Sequence, residues 1–344
     1  MASKTISRFP VRFSGLSGQA KAKKMLARSI VSGRLAHGYL FKGPDGVGKR
    51  LFGRALAASV NCRSRQGAEA CDQCPSCRKY FSGNHPDFVV ISPEKGTIKI
   101  NTIREMQKSL SYPPYESAMR VILIEDIHTM REAAANALLK TLEEPPENNL
   151  LILTAESTRE VLATIHSRCQ VIPFFHLSVE ETRTILLKED SGLDHDDAEL
   201  LARLSEGSPG RALFYQRMEM IDILQKVVTI LADPAFEADG RVGHVLETAG
   251  FMADLNEHLA PFLGLLRLWV KDLLLVSTAR SDAQLERLCF DYGKSLKGSE
   301  RWKSWTTEQL FFKLQLIDRA EQELNRNCNR PLVCEVLLFQ LQKR

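Results

Sequence analysis

The apolar positions in the first half of the chain form short runs, and segments with helical spacing separate them. The strand-length runs are HGYLFKG (37–43), DFVVIS (87–92), RVILIED (120–126) and LLILTAES (150–157). Helical spacing marks residues 17–33 and segments beginning at Thr102, Arg131 and Thr158. Near-continuous apolar strands that alternate with helices predict a parallel sheet covered on both faces. We therefore expect a doubly wound α/β domain over residues 1–175.

The second half of the chain reads differently, because no convincing strand follows PFFHLS (173–178). Helices are expected at about 178–188 and 195–205, followed by a turn, SEGSPGR, and then mostly helix. Two longer stretches, 242–276 and 308–326, place apolar residues at intervals of three and four. The pattern predicts a small helical domain at 176–240 and a larger all-helical domain at 241–344.

Composition limits the functional classes. The 344 residues are 44% apolar and 26% charged, a balance typical of two or three globular domains. The net charge of +4 (46 − 42) does not by itself indicate a nucleic-acid-binding protein. No run of eighteen uncharged apolar residues occurs, and the N-terminus lacks the apolar core of a secretory signal, so we expect a cytoplasmic protein with no membrane partner.

The stretch GPDGVGKR (43–50) resembles a phosphate-binding loop that lacks one element. Gly43, Gly46, Gly48 and Lys49 match the pattern in which main-chain N–H groups and a lysine surround phosphate oxygens at the start of a helix. The next position normally carries the hydroxyl that holds Mg²⁺, and here it is Arg50. The strand before the loop and the helix after it favour a nucleotide site for ATP or ADP, and the arginine argues against Mg²⁺.

A second element of such a site is an acidic pair at the end of a later strand. VILIED supplies Glu125 and Asp126, whereas hydrolysing loops of this kind usually place Asp before Glu, the first to hold Mg²⁺ and the second to orient water. The reversed order and Arg50 together predict weak or absent ATP hydrolysis, because positioning supplies most of phosphoryl-transfer catalysis. An ordinary acidic pair without a ligand is the alternative for these two residues.

Four of the eight cysteines fall within sixteen residues, in the order C-x8-C-x2-C-x2-C. In a cytosolic chain this spacing indicates a metal site before disulfides, and four thiolates suit tetrahedral Zn²⁺. With four protein ligands no position remains for water, so the site is predicted to be structural. The ligands are Cys62, Cys71, Cys74 and Cys77. His85 lies nearby and is interpreted as a turn residue and not as a fifth ligand.

Six features occur together in this chain: the four cysteines and the stretches GPDGVGKR, VILIED, ANALLKTLEEPPEN (135–148), SRC (167–169) and GSPGRAL (207–213). Together they resemble the bacterial clamp loader, a branch of the AAA+ family, over nearly the whole chain. The resemblance implies an AAA+ domain with a phosphate loop and a zinc-module insertion, a small helical lid domain and a C-terminal helical collar that joins five subunits. FSGLSGQ (13–19) is similar to the segment that lies near the adenine.

The resemblance also implies residue roles. Arg168 of SRC would act in trans, on the γ-phosphate held by a neighbouring subunit, where a guanidinium meets several oxygens. Arg211 would sense nucleotide in the chain's own site. The family often senses the γ-phosphate with Thr or Asn near residues 154–156, where this chain reads Thr154-Ala155-Glu156.

Three functions remain open from the sequence. The first is a non-hydrolysing clamp-loader subunit of a hetero-pentamer with delta and gamma/tau subunits, which places a sliding clamp on primer-template DNA. Polymerase activity would then belong to the whole assembly, because no carboxylate constellation for nucleotide addition is visible. The second is an ATP-hydrolysing motor subunit of the gamma/tau type. The third is a zinc-ribbon nucleic-acid-binding protein, for which RKYF (78–81) supplies basic and aromatic residues.

Overall fold

The computed structural model describes residues 12–156, 161–232, 242–279, 288, 305–326 and 328–342. The helix predicted to begin at Thr158 therefore starts outside the described residues. The described chain forms two compact units, each with many contacts within itself. The first contains the described residues up to Ile185 together with Gly207–Gly210, and the second contains Leu186–Glu206 and the described residues from Arg211 onward.

The first unit alternates strands and helices. Its elements are α1 (Ala20–Val31), β1 (Gly38–Lys42), α2 (Lys49–Val60), α3 (Pro75–Phe81), β2 (Phe88–Ile91), α4 (Ile100–Leu110), β3 (Arg120–Ile124), α5 (Glu132–Glu143), β4 (Asn149–Ala155), α6 (Ala163–His166) and β5 (Gln170–Pro173). The strands pair in parallel in the order β2-β3-β4-β1-β5. The predicted α/β class with a parallel sheet is confirmed.

Successive residues of the central strands point to opposite faces of this sheet. In β3, Val121 and Leu123 are buried with α1 and α2, whereas Ile122 and Ile124 are buried with α4 and α5. All seven residues of β4 are buried. A strand buried on both faces needs no polar alternation, which is why these strands read as continuous apolar runs.

The second unit is helical throughout its described residues. Helix α7 (Val179–Glu189) leads into it, and the helices that follow are α8 (His195–Leu204), α9 (Pro209–Arg217), α10 (Met220–Ala232), α11 (Val242–Asp254), α12 (Leu259–Thr278), α13 (Thr307–Asn325) and α14 (Arg330–Gln342). One apolar cluster runs from Leu186 to Leu341 through these helices. The division into three domains at 175 and 240 stays a prediction.

Several predicted boundaries are corrected by one to three residues. Helix α4 begins at Ile100, before the predicted Thr102, and β3 ends at Ile124, so that Glu125 and Asp126 follow the strand. The stretch 242–276 is two helices, because the chain turns through a short 3-10 segment at Asn256–His258. Among the described helices, none is both long and apolar enough to span a membrane.

Candidate functional site

The candidate phosphate loop connects β1 to α2, as its sequence predicts. Gly48 precedes α2 with φ 97°, in the left-handed region that favours glycine. At Gly43 close packing explains the residue type, because an added Cβ would lie 2.3 Å from the carbonyl oxygen of Phe174. The loop backbone is therefore held closely against the segment that follows β5.

Lys49 is directed into its own loop. Its Nζ donates hydrogen bonds to the carbonyl oxygens of Gly43 and Pro44, both at 2.7 Å, and the residue is buried. Burial lowers the pKa of Lys49, and the neighbouring carboxylates of Asp45 and Asp126 oppose that shift. Two of the three N–H donors of the ammonium are thus engaged by loop carbonyls.

The turn at 207–210 completes this arrangement. Ser208 Oγ donates to the carbonyl oxygen of Asp45 at 2.7 Å, and the main-chain N–H of Gly210 donates to the carbonyl oxygen of Gly46 at 2.9 Å. A Cβ on Gly210 would lie 2.7 Å from Gly46 Cα, so only glycine fits here. Every carbonyl from residue 43 to residue 46 accepts a hydrogen bond from the protein itself, so internal contacts hold the backbone of the loop.

Arg50 pairs with the first residue of the acidic pair. Its Nε lies 3.2 Å from Glu125 Oε1, and Ser92 Oγ donates to the other oxygen, Oε2, at 2.6 Å. The Glu125 side chain is only 13% exposed. The carboxylate that the sequence suggests for Mg²⁺ therefore has a cation and a hydroxyl donor from the chain itself.

Asp126 has different partners. Its backbone is left-handed, with φ 50°, and its main-chain N–H donates to Thr154 Oγ1 at 3.0 Å. Burial raises the pKa of Asp126, Asp45 raises it further, and Lys49 acts in the opposite direction. Thr154, the candidate γ-phosphate sensor, is buried and positions the backbone after β3.

The four predicted metal ligands come together. The sulfur atoms of Cys62, Cys71, Cys74 and Cys77 all lie within 4.8 Å of one another, and those of Cys71 and Cys77 are 4.0 Å apart. Four sulfurs around one Zn²⁺ at about 2.3 Å would be separated by about 3.8 Å in a tetrahedron. The cluster can therefore hold a metal ion.

Main-chain N–H groups point at the sulfurs of this cluster. The N–H of Cys71 donates to Cys62 Sγ at 3.2 Å, that of Cys74 to Cys71 Sγ at 3.3 Å, and that of Cys77 to Cys74 Sγ at 3.5 Å. Donors of this kind favour the thiolate form, and main-chain N–H groups lower the pKa of Cys71 to about 6. Burial raises the pKa of Cys62 and Cys77, so the main-chain donors favour the thiolate at Cys71 and Cys74 and not across the whole cluster. Metal ligation requires thiolates, and a bound cation would supply the charge that stabilises the other two sulfurs.

His85 is buried beside this cluster and is not part of it. Its Nε2 lies 3.1 Å from Ser76 Oγ, its ring stacks on Tyr80 at 4.1 Å, and its Nδ1 accepts from the N–H of Asp87 at 3.2 Å. With Nδ1 accepting, Nε2 carries the proton, so His85 is in the wrong tautomer to activate Ser76 as a nucleophile. Burial lowers the pKa of His85.

Arg168 lies just after α6, where its guanidinium has contacts on two sides. Nη2 is 2.7 Å from Glu143 Oε1, and Nη1 donates to the carbonyl oxygen of Thr164 at 2.9 Å and to Ser167 Oγ at 3.3 Å. The side chain is 34% exposed, so part of it remains accessible.

Arg211 belongs to the second unit, whereas the phosphate loop, the acidic pair, the cysteines and Arg168 belong to the first. It lies in the first turn of α9 and its Nη1 is 3.5 Å from Glu206. Within the first unit, Gln19 exchanges two hydrogen bonds with the main chain of Phe175, at 2.6 and 3.0 Å, which ties the end of FSGLSGQ to the segment after β5.

Sequence reasoning missed three residues of these sites, Ser92, Glu143 and Ser208. Ser92 follows β2 just as Glu125 follows β3, and residues at the carboxyl ends of neighbouring parallel strands lie side by side. That placement is a usable signal. Glu143 and Ser208 lie in the stretches LEEPPEN and GSPG, and nothing else in the sequence indicates their contacts. Their partners, Arg168 and Asp45, are distant in sequence.

The fold and the loop together define the class as an α/β protein with a parallel sheet, a candidate phosphate loop between β1 and α2, and an acidic pair after β3, which β4 separates from β1. Comparison with known proteins narrows this class. A family model described as DNA polymerase III, delta subunit, matches residues 18–178.

Proteins similar to this chain agree with that model. DNA polymerase III subunit delta' of Bacillus subtilis (strain 168) is 29% identical over 327 residues, which cover 94% of this chain and 96% of that protein. The delta' subunit of Escherichia coli (strain K12) is 33% identical over 190 residues, 55% of this chain and 57% of that protein. The tau subunit of the same strain is 35% identical over 208 residues, which cover 59% of this chain and 32% of that protein.

Among solved structures, a gamma subunit-related protein of DNA polymerase III from Thermotoga maritima aligns with a TM-score of 0.45 and 19% identity, over 94% of this chain and 99% of that one. The chain spans 96% of the Bacillus subtilis relative and about a third of Escherichia coli tau. These matches support a place for the chain among clamp-loader subunits of DNA polymerase III, with the delta' subunits among its relatives.

Proposed function

We propose that this chain is a delta prime-like subunit of a DNA polymerase III clamp loader, a stator that hydrolyses ATP poorly or not at all and lends Arg168 to the ATP site of a neighbouring subunit. The other members of the complex would be delta and gamma/tau subunits. Their joint action would place a sliding clamp on primed DNA.

The observation that carries this proposal is the pairing of Arg50 with Glu125 at 3.2 Å. A hydrolysing loop needs a divalent cation between the β- and γ-phosphates, held by a hydroxyl and a carboxylate. Here the hydroxyl position supplies a guanidinium, and that guanidinium neutralises the carboxylate. Lys49 is held by the loop carbonyls of Gly43 and Pro44. The Arg50–Glu125 pair and the hydrogen bonds of Lys49 argue against ATP hydrolysis in this chain's own site. They are compatible with binding of ADP or ATP without Mg²⁺.

Arg168 supports the other half of the proposal. Its guanidinium is partly exposed and is held by Glu143 on one side and Thr164 on the other. This arrangement suits a side chain that must present N–H donors to a phosphate of another subunit. Arg211 is proposed to sense nucleotide in the chain's own site.

The cysteine cluster is proposed to hold one structural Zn²⁺. Cys62 follows the end of α2, Cys71 and Cys74 lie in the following loop, and Cys77 lies in α3. A metal held by all four would fix this 62–77 insertion to the sheet domain, since the region has few regular elements of its own.

The motor-subunit alternative rests on the similarity to tau, and Arg50 weighs against it. For the zinc-ribbon alternative, Tyr80 of RKYF is buried and Lys79 is paired with Glu116, which leaves little of that stretch for a nucleic acid. We therefore favour the stator.

ATP turnover by the isolated chain and by the reassembled complex tests the proposal, with wild-type protein and Arg168→Ala. We expect no Mg²⁺-dependent turnover above background from the chain alone. Arg168→Ala should leave folding and zinc content intact while lowering DNA-stimulated turnover of the complex. At the site it serves, an arginine finger contributes on the order of 10³-fold or more. Rapid turnover by the lone chain, or unchanged turnover by the variant complex, would reject the proposal.

A further inference from the structure

Glu143 is the last residue of α5 and opens the stretch EEPPEN, to which no role has yet been assigned. We propose that Glu143 is a positioning residue for Arg168, and that it sets the direction in which the guanidinium is presented to the neighbouring subunit. This inference rests on the proposed trans role of Arg168.

The geometry divides the donors of the guanidinium. Nη1 is directed to the carbonyl oxygen of Thr164 at 2.9 Å and to Ser167 Oγ at 3.3 Å, both on its own local segment. Nη2 is directed to Glu143 Oε1 at 2.7 Å, on a different helix. Because a guanidinium is planar and rigid, contacts on two terminal nitrogens fix its plane.

These contacts use three of the five N–H donors within the described part of the chain. The remaining two belong to Nη2 and Nε, and the side chain is 34% exposed. The guanidinium can therefore keep both internal anchors and still offer hydrogen bonds outward. Without Glu143 only the local anchors of α6 would remain, and the side chain could rotate away from the phosphate.

An exposed ion pair contributes little to folding stability, because solvent screens it. Glu143 is 49% exposed, so its removal should not unfold the domain. A positioning role predicts instead a selective loss of catalytic rate. Misplacement of a group that acts in the transition state lowers kcat and leaves KM for ATP nearly unchanged.

The same carboxylate also has an electrostatic effect of the opposite sign. A carboxylate beside a guanidinium cancels part of the positive charge that attracts phosphate. If this cancellation dominated, Glu143 would restrain Arg168 and its removal would raise turnover. The two roles therefore predict opposite changes in kcat when Glu143 is removed: a positioning role predicts a decrease and a restraining role an increase.

The experiment compares Glu143→Ala, Glu143→Asp and Glu143→Gln in the reassembled complex, with Glu144→Gln as the matched control. Glu144 is the next residue, is exposed, and has no ion pair among the described residues. We expect Glu143→Ala to lower kcat of DNA-stimulated ATP hydrolysis roughly three- to tenfold with KM unchanged. The kcat of Glu143→Gln should lie between those of Glu143→Ala and the wild type. Glu143→Asp should recover part of the lost kcat, and Glu144→Gln should have the wild-type kcat. The melting temperature of each variant separates a catalytic effect from a folding defect.

Arg168→Ala, alone and combined with Glu143→Ala, completes the set. The double variant should be no slower than Arg168→Ala, because Glu143 acts through that arginine. An unchanged or raised kcat for Glu143→Ala, or an additive loss in the double variant, would overturn the positioning role while leaving the arginine finger intact. An unchanged rate for Arg168→Ala alone would instead reject the proposed function itself, and this inference with it.

Discussion

The Nε of Arg50 lies 3.2 Å from Oε1 of Glu125, so a side chain at the end of the candidate phosphate loop contacts the carboxylate expected to hold Mg²⁺. The substitution of arginine for Ser or Thr thus does more than remove a hydroxyl. It supplies a permanent positive charge in the region where the divalent cation would be held, and Ser92 satisfies the other carboxylate oxygen. Mg²⁺ would have to displace Arg50 and would then be repelled by it.

Arg50→Thr should restore part of the metal site. The change removes the guanidinium, frees Glu125 Oε1 and supplies the hydroxyl that a phosphate loop uses for Mg²⁺. We expect the Mg²⁺-dependent gain in ATP affinity to rise roughly tenfold, since a like charge at close range has been removed. Turnover should stay low because the acidic pair remains Glu125-Asp126. Titration calorimetry with and without Mg²⁺ measures the change.

Arg34→Thr is the control for that experiment, because Arg34 is an exposed arginine outside the loop. It should leave both ATP affinities at the wild-type value. Equal Mg²⁺ dependence in Arg50→Thr and wild-type protein would show that Arg50 does not oppose the metal.

Lys49→Ala should destabilise the nucleotide-free protein. Lys49 is 6% exposed and its two hydrogen bonds satisfy the carbonyl oxygens of Gly43 and Pro44. Loss of a charged donor from partly buried carbonyls costs about 2–3 kcal/mol. Urea unfolding without nucleotide measures the free energy, and the exposed Lys24→Ala serves as control, with an expected change within about 0.5 kcal/mol. Equal stability of the two variants would show that Lys49 does not support the loop.

The sequence predicted the sheet domain well because its signals are local. Apolar runs identified the strands, and the glycine pattern identified the turn from β1 to α2. The four cysteines were equally readable because their spacing limits their geometry. The apolar pattern missed the break between α11 and α12, since both helices have buried apolar faces and the 3-10 turn between them has no proline or glycine.

The pairings inside the site were harder to predict. Arg50 and Glu125 are 75 residues apart in number (125 − 50), and Glu143 and Arg168 are 25 apart (168 − 143). Residue types alone do not select such partners, because each charged side chain has many candidates of opposite sign. The order of the strands decides them, and the sequence constrains that order only loosely.

One zinc per chain should copurify under reducing, chelator-free conditions, and Cys74→Ser should lose it. Loss of one thiolate opens the tetrahedron and removes metal binding that contributes to folding of the insertion. Acid should also release the metal, because protons compete for the thiolates. Elemental analysis across a pH series measures this, with the exposed Cys328→Ser as control. Full zinc content in Cys74→Ser, or none in the wild type, would contradict the four-thiolate site.

The role of Asp87 is structural. Its fully buried carboxylate accepts main-chain hydrogen bonds from Tyr115 at 2.6 Å, Glu116 at 2.9 Å and Ser117 at 2.9 Å, and so fixes the loop before β3. Burial by itself raises the pKa of Asp87, yet these donors outweigh it and hold the pKa below its ordinary value. The charged form is therefore the one that stabilises the fold.

Asp87→Asn should cost about 1.5–3 kcal/mol at pH 7, because an amide offers one weaker acceptor in place of a carboxylate. A depressed carboxyl pKa contributes stability above the unfolded value, about 3.9, and loses it as pH falls through the folded pKa. The gap between wild type and Asp87→Asn should therefore be widest near neutral pH and shrink below about pH 4. Urea unfolding from pH 3 to pH 7, with the exposed Glu105→Gln as control, measures the gap. A pH-independent gap would show that the charge of Asp87 does not hold the loop.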